Sequence, residues 1–309
     1  MKLIAGNSNA KIAKEISNKL NIPLVDSLIT KFSDGEIRVQ INESVRGSHV
    51  FVIQSTNPPA DNLLELIFII DALRRASADM ITAVIPYYGY ARQDKKDAPR
   101  VPISSRVVAN LLTTAGVSRI MVLELHAEQI QGFFNVPVDH LYSSPVFVEY
   151  LLKNEKLDNT VVVSPDAGRV NRARNIAKKL NNLPIAVIDK RRSSPNQSEV
   201  MHVVGEVKDK DILMVDDIID TAGTITKAAE ALKYNGAKRI IACVTHPLLS
   251  GDAIAKIKNS PIDKLYTSNS VVIPEEKKIE KIEVLSMADL FANAIKRVYN
   301  KESISALFD

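Results

Sequence analysis

The 309-residue sequence contains no tryptophan, one cysteine and no apolar run near the roughly eighteen residues that a membrane-spanning helix needs. The lone cysteine, Cys243, excludes an intrachain disulfide and fits a reducing compartment. The opening Met1–Ser8 is too short an apolar stretch for a secretory signal and lacks a small-residue cleavage site, so a cytoplasmic location is expected. Basic clusters are short (Arg74-Arg75, Lys95-Lys96, Lys190-Arg191-Arg192) and carry no interleaved aromatics, which argues against a nucleic-acid partner. The net charge of +4 suits a small anionic substrate without requiring one.

What is present is ordinary for a globular chain: 46% hydrophobic and 25% charged residues, at a length that accommodates two cores. Short Val/Ile-rich runs predict strands at His49–Gln54, Ile81–Ile85, Arg119–Leu125, Thr160–Ser164, Ile185–Ile188, Asp211–Val215 and Arg239–Val244. Helical periodicity occupies Leu63–Ala78, Ser104–Ala115, Val170–Leu180, Thr224–Asn235 and Ala288–Tyr299. Nearly continuous apolar strands separated by helices imply a mainly parallel sheet covered on both faces, and so an α/β fold.

A repeat supports two copies of that unit. Ser104…Ala109…Leu112…Gly116-Val117-Ser118-Arg119-Ile120…His126 returns 120 positions later as Thr224…Ala229…Leu232…Gly236-Ala237-Lys238-Arg239-Ile240…His246. Helix–Gly–strand units look alike in many α/β proteins, but here the register holds over more than twenty residues, which favours duplication. The expected division is residues 1–145 and 146–295, with 296–309 packing back on the first domain.

The most informative string is Val215-Asp216-Asp217-Ile218-Ile219-Asp220-Thr221-Ala222-Gly223-Thr224. It places two carboxylates after a strand, then a Gly/Thr turn, then a helix. An open parallel sheet binds ligands beyond the carboxyl ends of its strands, and N–H groups at a helix start suit a phosphate. The hydroxyls of Thr221, Thr224 and Thr226 add donors, and Gly223 allows close approach. Phosphate alone does not call for two acids; they suit a pair of ribose hydroxyls, or else merely cap a turn, and the whole strand–acid–acid–turn–helix context favours the sugar.

Other segments narrow the chemistry. Ser33-Asp34-Gly35-Glu36 sets two acids around a turn glycine, and Pro86–Asp94 offers tyrosines for stacking or packing, the Arg92 guanidinium and the Gln93 amide. His126 and Asp166 follow strands at positions that suit metal ligation, although a lone histidine is more often structural. Three consecutive cations, Lys190 to Arg192, are either solvated or poised to stabilise a transferring phosphate.

Taken together, FSDGE, ITAVIPYYGYARQD, LHAEQIQGFF, VSPD, DKRR, VDDIIDTAGT, THP and ESISALF stand in the order of the ribose-phosphate diphosphokinase (phosphoribosyl pyrophosphate synthetase) family, which the chain resembles from Leu3 to Phe308. The resemblance implies two tandem type I phosphoribosyltransferase domains, Mg²⁺ dependence, ATP and ribose 5-phosphate as substrates, and dimers assembling to a hexamer. By it, Phe32, Asp34, Gly35 and Glu36 border the ATP adenine, and Arg92 and Gln93 contact ATP. His126 and Asp166 hold Mg²⁺, and Lys190 and Arg192 are the catalytic cations. Asp216 and Asp217 hold ribose hydroxyls, while Asp220, Thr221, Ala222, Gly223 and Thr224 embrace the 5-phosphate. A transferase that consumes the diphosphate needs only one such domain, and a regulator that merely senses it does not need the cations.

The chain departs from the family pattern in places. Glu124 stands for a usual Asp, Ser193 for a frequent Pro, and Asp97-Ala98-Pro99-Arg100 lacks the Arg-Ser pair of the phosphate-regulated class. Arg169 replaces a common Gly, where a bulky cation would either perturb Mg²⁺ or reach a phosphate.

Overall fold

The computed structural model describes residues 1–191 and 200–308; the side chains of residues 190, 191 and 200 also lie outside that description. The chain divides into two compact units: Met1–Tyr142 with Ser270–Val272 and Ser286–Asp309, and Ser143–Asn269 with Ile273–Leu285.

The first unit begins with strand β1 (Lys2–Ala5), helix α1 (Ala10–Leu20) and a two-stranded antiparallel ribbon of β2 (Ser27–Lys31) and β3 (Ile37–Ile41). It continues through β4 (His49–Ile53), α2 (Asp61–Arg75), β5 (Met80–Ile85), α3 (Ser104–Ala115), β6 (Arg119–Leu123) and β7 (Val138–Leu141). Strand order is β1-β4-β5-β6-β7, and every pairing is parallel. Valines and isoleucines of β4 to β6 are fully buried between helices, which is why these strands read as unbroken apolar runs. Helix α3 stops at Gly116, whose φ of 110° satisfies the left-handed C-cap.

The second unit comprises α4 (Ser144–Asn154), β8 (Thr160–Ser164), α5 (Val170–Lys179), β9 (Ile185–Arg191), β10 (Val200–Val204), β11 (Asp211–Ile219) and α6 (Gly223–Tyr234). Then follow β12 (Arg239–Pro247), α7 (Ala253–Asn259), β13 (Lys264–Ser268) and β14 (Ile282–Leu285). Its sheet runs β10-β9-β8-β11-β12-β13-β14, parallel throughout except for the β9–β10 hairpin. The last helix, α8 (Ala288–Tyr299), returns to the first unit: Lys19 of α1 pairs with Asp289 at 2.8 Å, and Ser286 donates to Glu15 at 2.6 Å.

Four predicted strands end two or more residues from their expected ends, β12 among them, at Pro247 instead of Val244. β11 continues four residues past Val215 because β12 keeps pairing with it, Asp216 with Val244 and Ile219 with Pro247. β9 runs to Arg191 because β10 pairs back along it, which puts Lys190 opposite Met201 in a strand rather than in a loop. β6 stops at Leu123, and Glu124 takes a left-handed φ of 45°. No helix among the described residues is long and apolar enough to cross a membrane.

Candidate functional site

The site in the second unit is built where β11 outruns its neighbour. β8 pairs with β11 only as far as Val163 opposite Met214, whereas β12 accompanies β11 to Ile219. Asp216 and Asp217 therefore sit on a strand held on one side and open on the other. The turn that follows β8 fills the open side. In it Asp166 accepts a hydrogen bond from the Gly168 N–H at 2.6 Å, fixing a short 3-10 turn, Ala167–Arg169, that leads into α5.

That turn brings Arg169 onto the two acids. Its Nη1 donates to Asp216 Oδ1 at 2.9 Å and also contacts Asp217 Oδ1, while its Nε lies 3.7 Å from Asp166 Oδ2. Arg172, in the first turn of α5, adds a second guanidinium at 3.4 Å from Asp217 and 3.9 Å from Asp216. Asp217 has no exposed side-chain surface and that of Asp216 is 13% exposed. Burial pushes the Asp216 carboxyl above the ordinary range, and the two arginines pull it back. Cations at a helix N-terminus oppose the helix dipole, so Arg169 and Arg172 are held there by the carboxylates and not by α5 itself.

Beyond Ile219 the chain turns through Asp220 and Thr221 to Ala222, whose left-handed φ of 61° starts α6. The first intrahelical bond runs from the Thr226 N–H to the Ala222 carbonyl at 3.0 Å, so the N–H groups of Gly223, Thr224 and Ile225 have no acceptor within the helix. Thr221 and Thr224 are exposed beside them. Thr226, expected to add a donor to that nest, instead turns its hydroxyl back onto the Ala222 carbonyl at 2.9 Å and is buried. A Cβ on Gly223 would meet only the Thr221 hydroxyl, at 3.9 Å, so protein packing leaves room there. The left-handed residue is Ala222, not the glycine.

Sequence reasoning missed Lys256 on α7, whose Nζ lies 3.3 Å from the Thr221 carbonyl, and Arg172. Neither belongs to a recognisable local pattern. Lys190 is placed on β9 by its backbone, whereas Arg192 lies outside the described residues.

In the first unit, Phe32, Asp34, Gly35 and Glu36 form the tip of the β2–β3 ribbon. Gly35 takes a φ of 96°, Asp34 accepts from the Glu36 N–H at 3.0 Å, and Phe32 is 52% exposed with the Arg38 guanidinium 5.8 Å from its ring centre. An exposed aromatic beside acids and an arginine is a surface for a planar, polar-edged ring. Arg92 is exposed on the segment after β5. Gln93 is half committed: its carbonyl accepts from the Ser105 N–H at 3.2 Å and its side-chain oxygen from the Ser104 hydroxyl at 2.5 Å, capping α3. Tyr87 and Tyr88 are core residues, not a stacking platform. Tyr88 is 2% exposed, donates to the Ser105 carbonyl at 2.8 Å and meets Phe134 edge-on at 5.7 Å.

His126 follows β6 by three residues and is partly buried, and Asp166 has its carboxylate 40% exposed. No group of three or more His, Cys, Asp or Glu among the described residues is arranged to hold a metal.

Two tandem, mainly parallel α/β sheets, one bearing a strand–diacid–turn–helix at its carboxyl edge, define a protein of the α/β class with its ligand edge beyond the carboxyl ends of the strands. Known proteins carry this further. Residues 1–116 match the family model of the N-terminal domain of ribose phosphate pyrophosphokinase, and residues 191–309 that of the phosphoribosyl synthetase-associated domain. The chain is 56% identical, over its whole length, to 98% of the ribose-phosphate pyrophosphokinase of Bacillus caldolyticus. It is 53% identical, again over its whole length, to 99% of that of Haemophilus influenzae. It superposes on the crystal structure of phosphoribosylpyrophosphate synthetase from Mycobacterium smegmatis with a TM-score of 0.92 at 41% identity, over 97% of this chain and 99% of that one. The chain belongs to the ribose-phosphate pyrophosphokinase family. It is an enzyme that transfers the diphosphoryl group of ATP to the anomeric hydroxyl of ribose 5-phosphate, giving 5-phosphoribosyl 1-diphosphate and AMP.

Proposed function

We propose that the second unit holds ribose 5-phosphate on Asp216–Thr224 and that the first unit supplies the ATP-binding residues Phe32, Asp34, Gly35, Glu36, Arg92 and Gln93. The observation that carries the reading is the continuous path from the Asp216–Asp217 pair on β11 to the N–H groups of Gly223, Thr224 and Ile225, which have no acceptor within α6. Carboxylates accept from the sugar's hydroxyls, and the N–H groups at the helix start, with the hydroxyls of Thr221 and Thr224, donate to the 5-phosphate. Held at both ends, the sugar keeps its anomeric oxygen oriented for attack on the β-phosphorus of ATP, and fixing that geometry lowers the barrier by converting an encounter into an internal step. Lys190 and Arg192 are assigned to the negative charge that develops on the transferring diphosphoryl group.

Mg²⁺ is the proposed cofactor. Asp166 suits it in chemistry, as a hard oxygen donor with an exposed carboxylate. The lack of a three-ligand cluster among the described residues fits an ion that takes one or two carboxylates and completes its shell with water and substrate phosphates. His126 is the second assigned ligand. When bound, the ion would neutralise charge on the ATP phosphates. The cytoplasm as compartment and assembly of dimers into a hexamer complete the proposal.

The test is an assay of AMP release from ATP. AMP should appear only when ribose 5-phosphate is present, stop on chelation with EDTA and return with added Mg²⁺. An Asp216→Asn enzyme should need ten to a hundred times more ribose 5-phosphate, about the worth of a hydrogen bond to a charged group, with KM for ATP unchanged. AMP release that ignores the sugar phosphate, or KM values that move together, would remove the assignment.

A further inference from the structure

We infer that Arg169 occupies, in the sugar-free enzyme, the carboxylate oxygens assigned to the ribose hydroxyls, so that ribose 5-phosphate binds by displacing one of the enzyme's own guanidinium groups. This rests on the reading of Asp216 and Asp217 as the acceptors of the sugar.

The geometry leaves little choice. Asp216 Oδ1 accepts from Arg169 Nη1 at 2.9 Å and from the Asp217 backbone N–H at 2.9 Å, which engages both of its lone pairs. Asp217 Oδ1 is in contact with the same Nη1, and the Asp217 side chain has no exposed surface. A hydroxyl therefore reaches Asp217 only by displacing a neighbour, and Arg169 is the guanidinium in direct contact with its Oδ1. Guanidinium and sugar hydroxyl are both donors, so they compete for the same acceptors. Arginine stays charged across the physiological range, so the occupancy is not relieved by pH.

The structure also makes the displacement feasible. Arg172 remains within 3.4 Å of Asp217, so removing Arg169 does not strand the buried acid without a counter-ion. Arg169 Nε is already 3.7 Å from Asp166 Oδ2, on the 40%-exposed side of the cluster, so the departing side chain keeps a partner. Its backbone ends a three-residue turn, and it leans against the dipole of α5, so the carboxylates are its main attraction. At rest Arg169 therefore faces the diacid, with Asp166, the assigned metal ligand, as its third carboxylate neighbour. It is an internal competitor that sets how much ribose 5-phosphate the enzyme needs.

The experiment measures ribose 5-phosphate binding by calorimetry, and KM for both substrates, on full-length Arg169→Ala and Arg169→Gln; the second keeps the stem if the first folds poorly. Losing the competitor should tighten sugar binding and lower its KM about tenfold, the scale of one charge-assisted hydrogen bond. KM for ATP should stay within twofold of its starting value, a split that a general loss of structure would not produce. Unchanged or weaker sugar binding in both variants overturns the proposal, since Arg169 would then be holding the acids in place. Asp216→Asn, measured alongside, separates the two levels. If it binds the sugar as the parent does, the reading of the diacid falls and the competitor with it. If it binds weakly while both Arg169 variants bind no more tightly than the parent, only the competitor falls.

Discussion

The two units use one scaffold for opposite ends. In the first, Thr82 of β5 pairs with Arg119; in the second, Asp211 of β11 pairs with Arg239, the repeat's equivalent of Arg119. Five residues on from Thr82 and from Asp211 stand Tyr87 and Asp216, with Tyr88 and Asp217 next. The same two places thus carry a pair of buried tyrosines in one unit and a pair of acids in the other. β5 ends at Ile85 and its continuation folds into the core, where Tyr88 bonds the Ser105 carbonyl; β11 stays in the sheet to Ile219 and ends on a helix start. Even the repeated histidine diverges, for His126 lies beyond its strand while His246 is buried within β12. The two copies differ in how far one strand keeps its neighbour, and in what stands on the residues just beyond.

The contrast breaks most sharply at Lys190. If the second unit carries the chemistry, Lys190→Ala should lower kcat by roughly a hundred- to a thousandfold, the usual cost of one donor to a developing charge, with circular dichroism unchanged. An active variant would end that assignment. Next come the glycines. Gly89→Ala in the first unit puts a Cβ 2.1 Å from the Thr56 carbonyl oxygen, so a thermal melt should show a loss of about 1–3 kcal/mol, or several degrees. Gly223→Ala in the second meets nothing closer than 3.9 Å, so its Tm should hold while KM for ribose 5-phosphate rises. Equal behaviour of the two glycines would erase the distinction between them. The smallest effect belongs to Tyr88→Phe, which loses one buried hydrogen bond, about 1 kcal/mol in urea unfolding, and leaves both KM values alone. A change in substrate affinity there would mean that the tyrosines serve the site after all.

Much of this was legible in the chain itself. Most inner strands of both sheets stand out because burial on both faces favours unbroken Val and Ile, and Ser104–Ala115 ends at the glycine that its left-handed cap requires. β13, Lys264-Leu265-Tyr266-Thr267-Ser268, is an inner strand with neither and is not legible. Strands without a Val/Ile run are silent, most of them at sheet edges. Ile37-Arg38-Val39-Gln40-Ile41 alternates in and out of water and so offers no apolar run, and β10 and β14, each paired on one side, were missed as well. At the site, the Asp216–Thr224 string was readable because its residues are contiguous. Lys256 was not, because α7 brings it to Thr221 from 35 residues away.

The sequence by itself determined the α/β class, the order of the family strings and the oddity of an arginine at position 169. Only the tertiary structure decided what that arginine touches. Asp216 lies 47 residues from it along the chain, and the two meet because β8 and β11 are neighbours in the sheet and β8 stops first. An ion pair of that span is set by strand order and register, which are properties of the whole sheet and not of any segment that can be read alone.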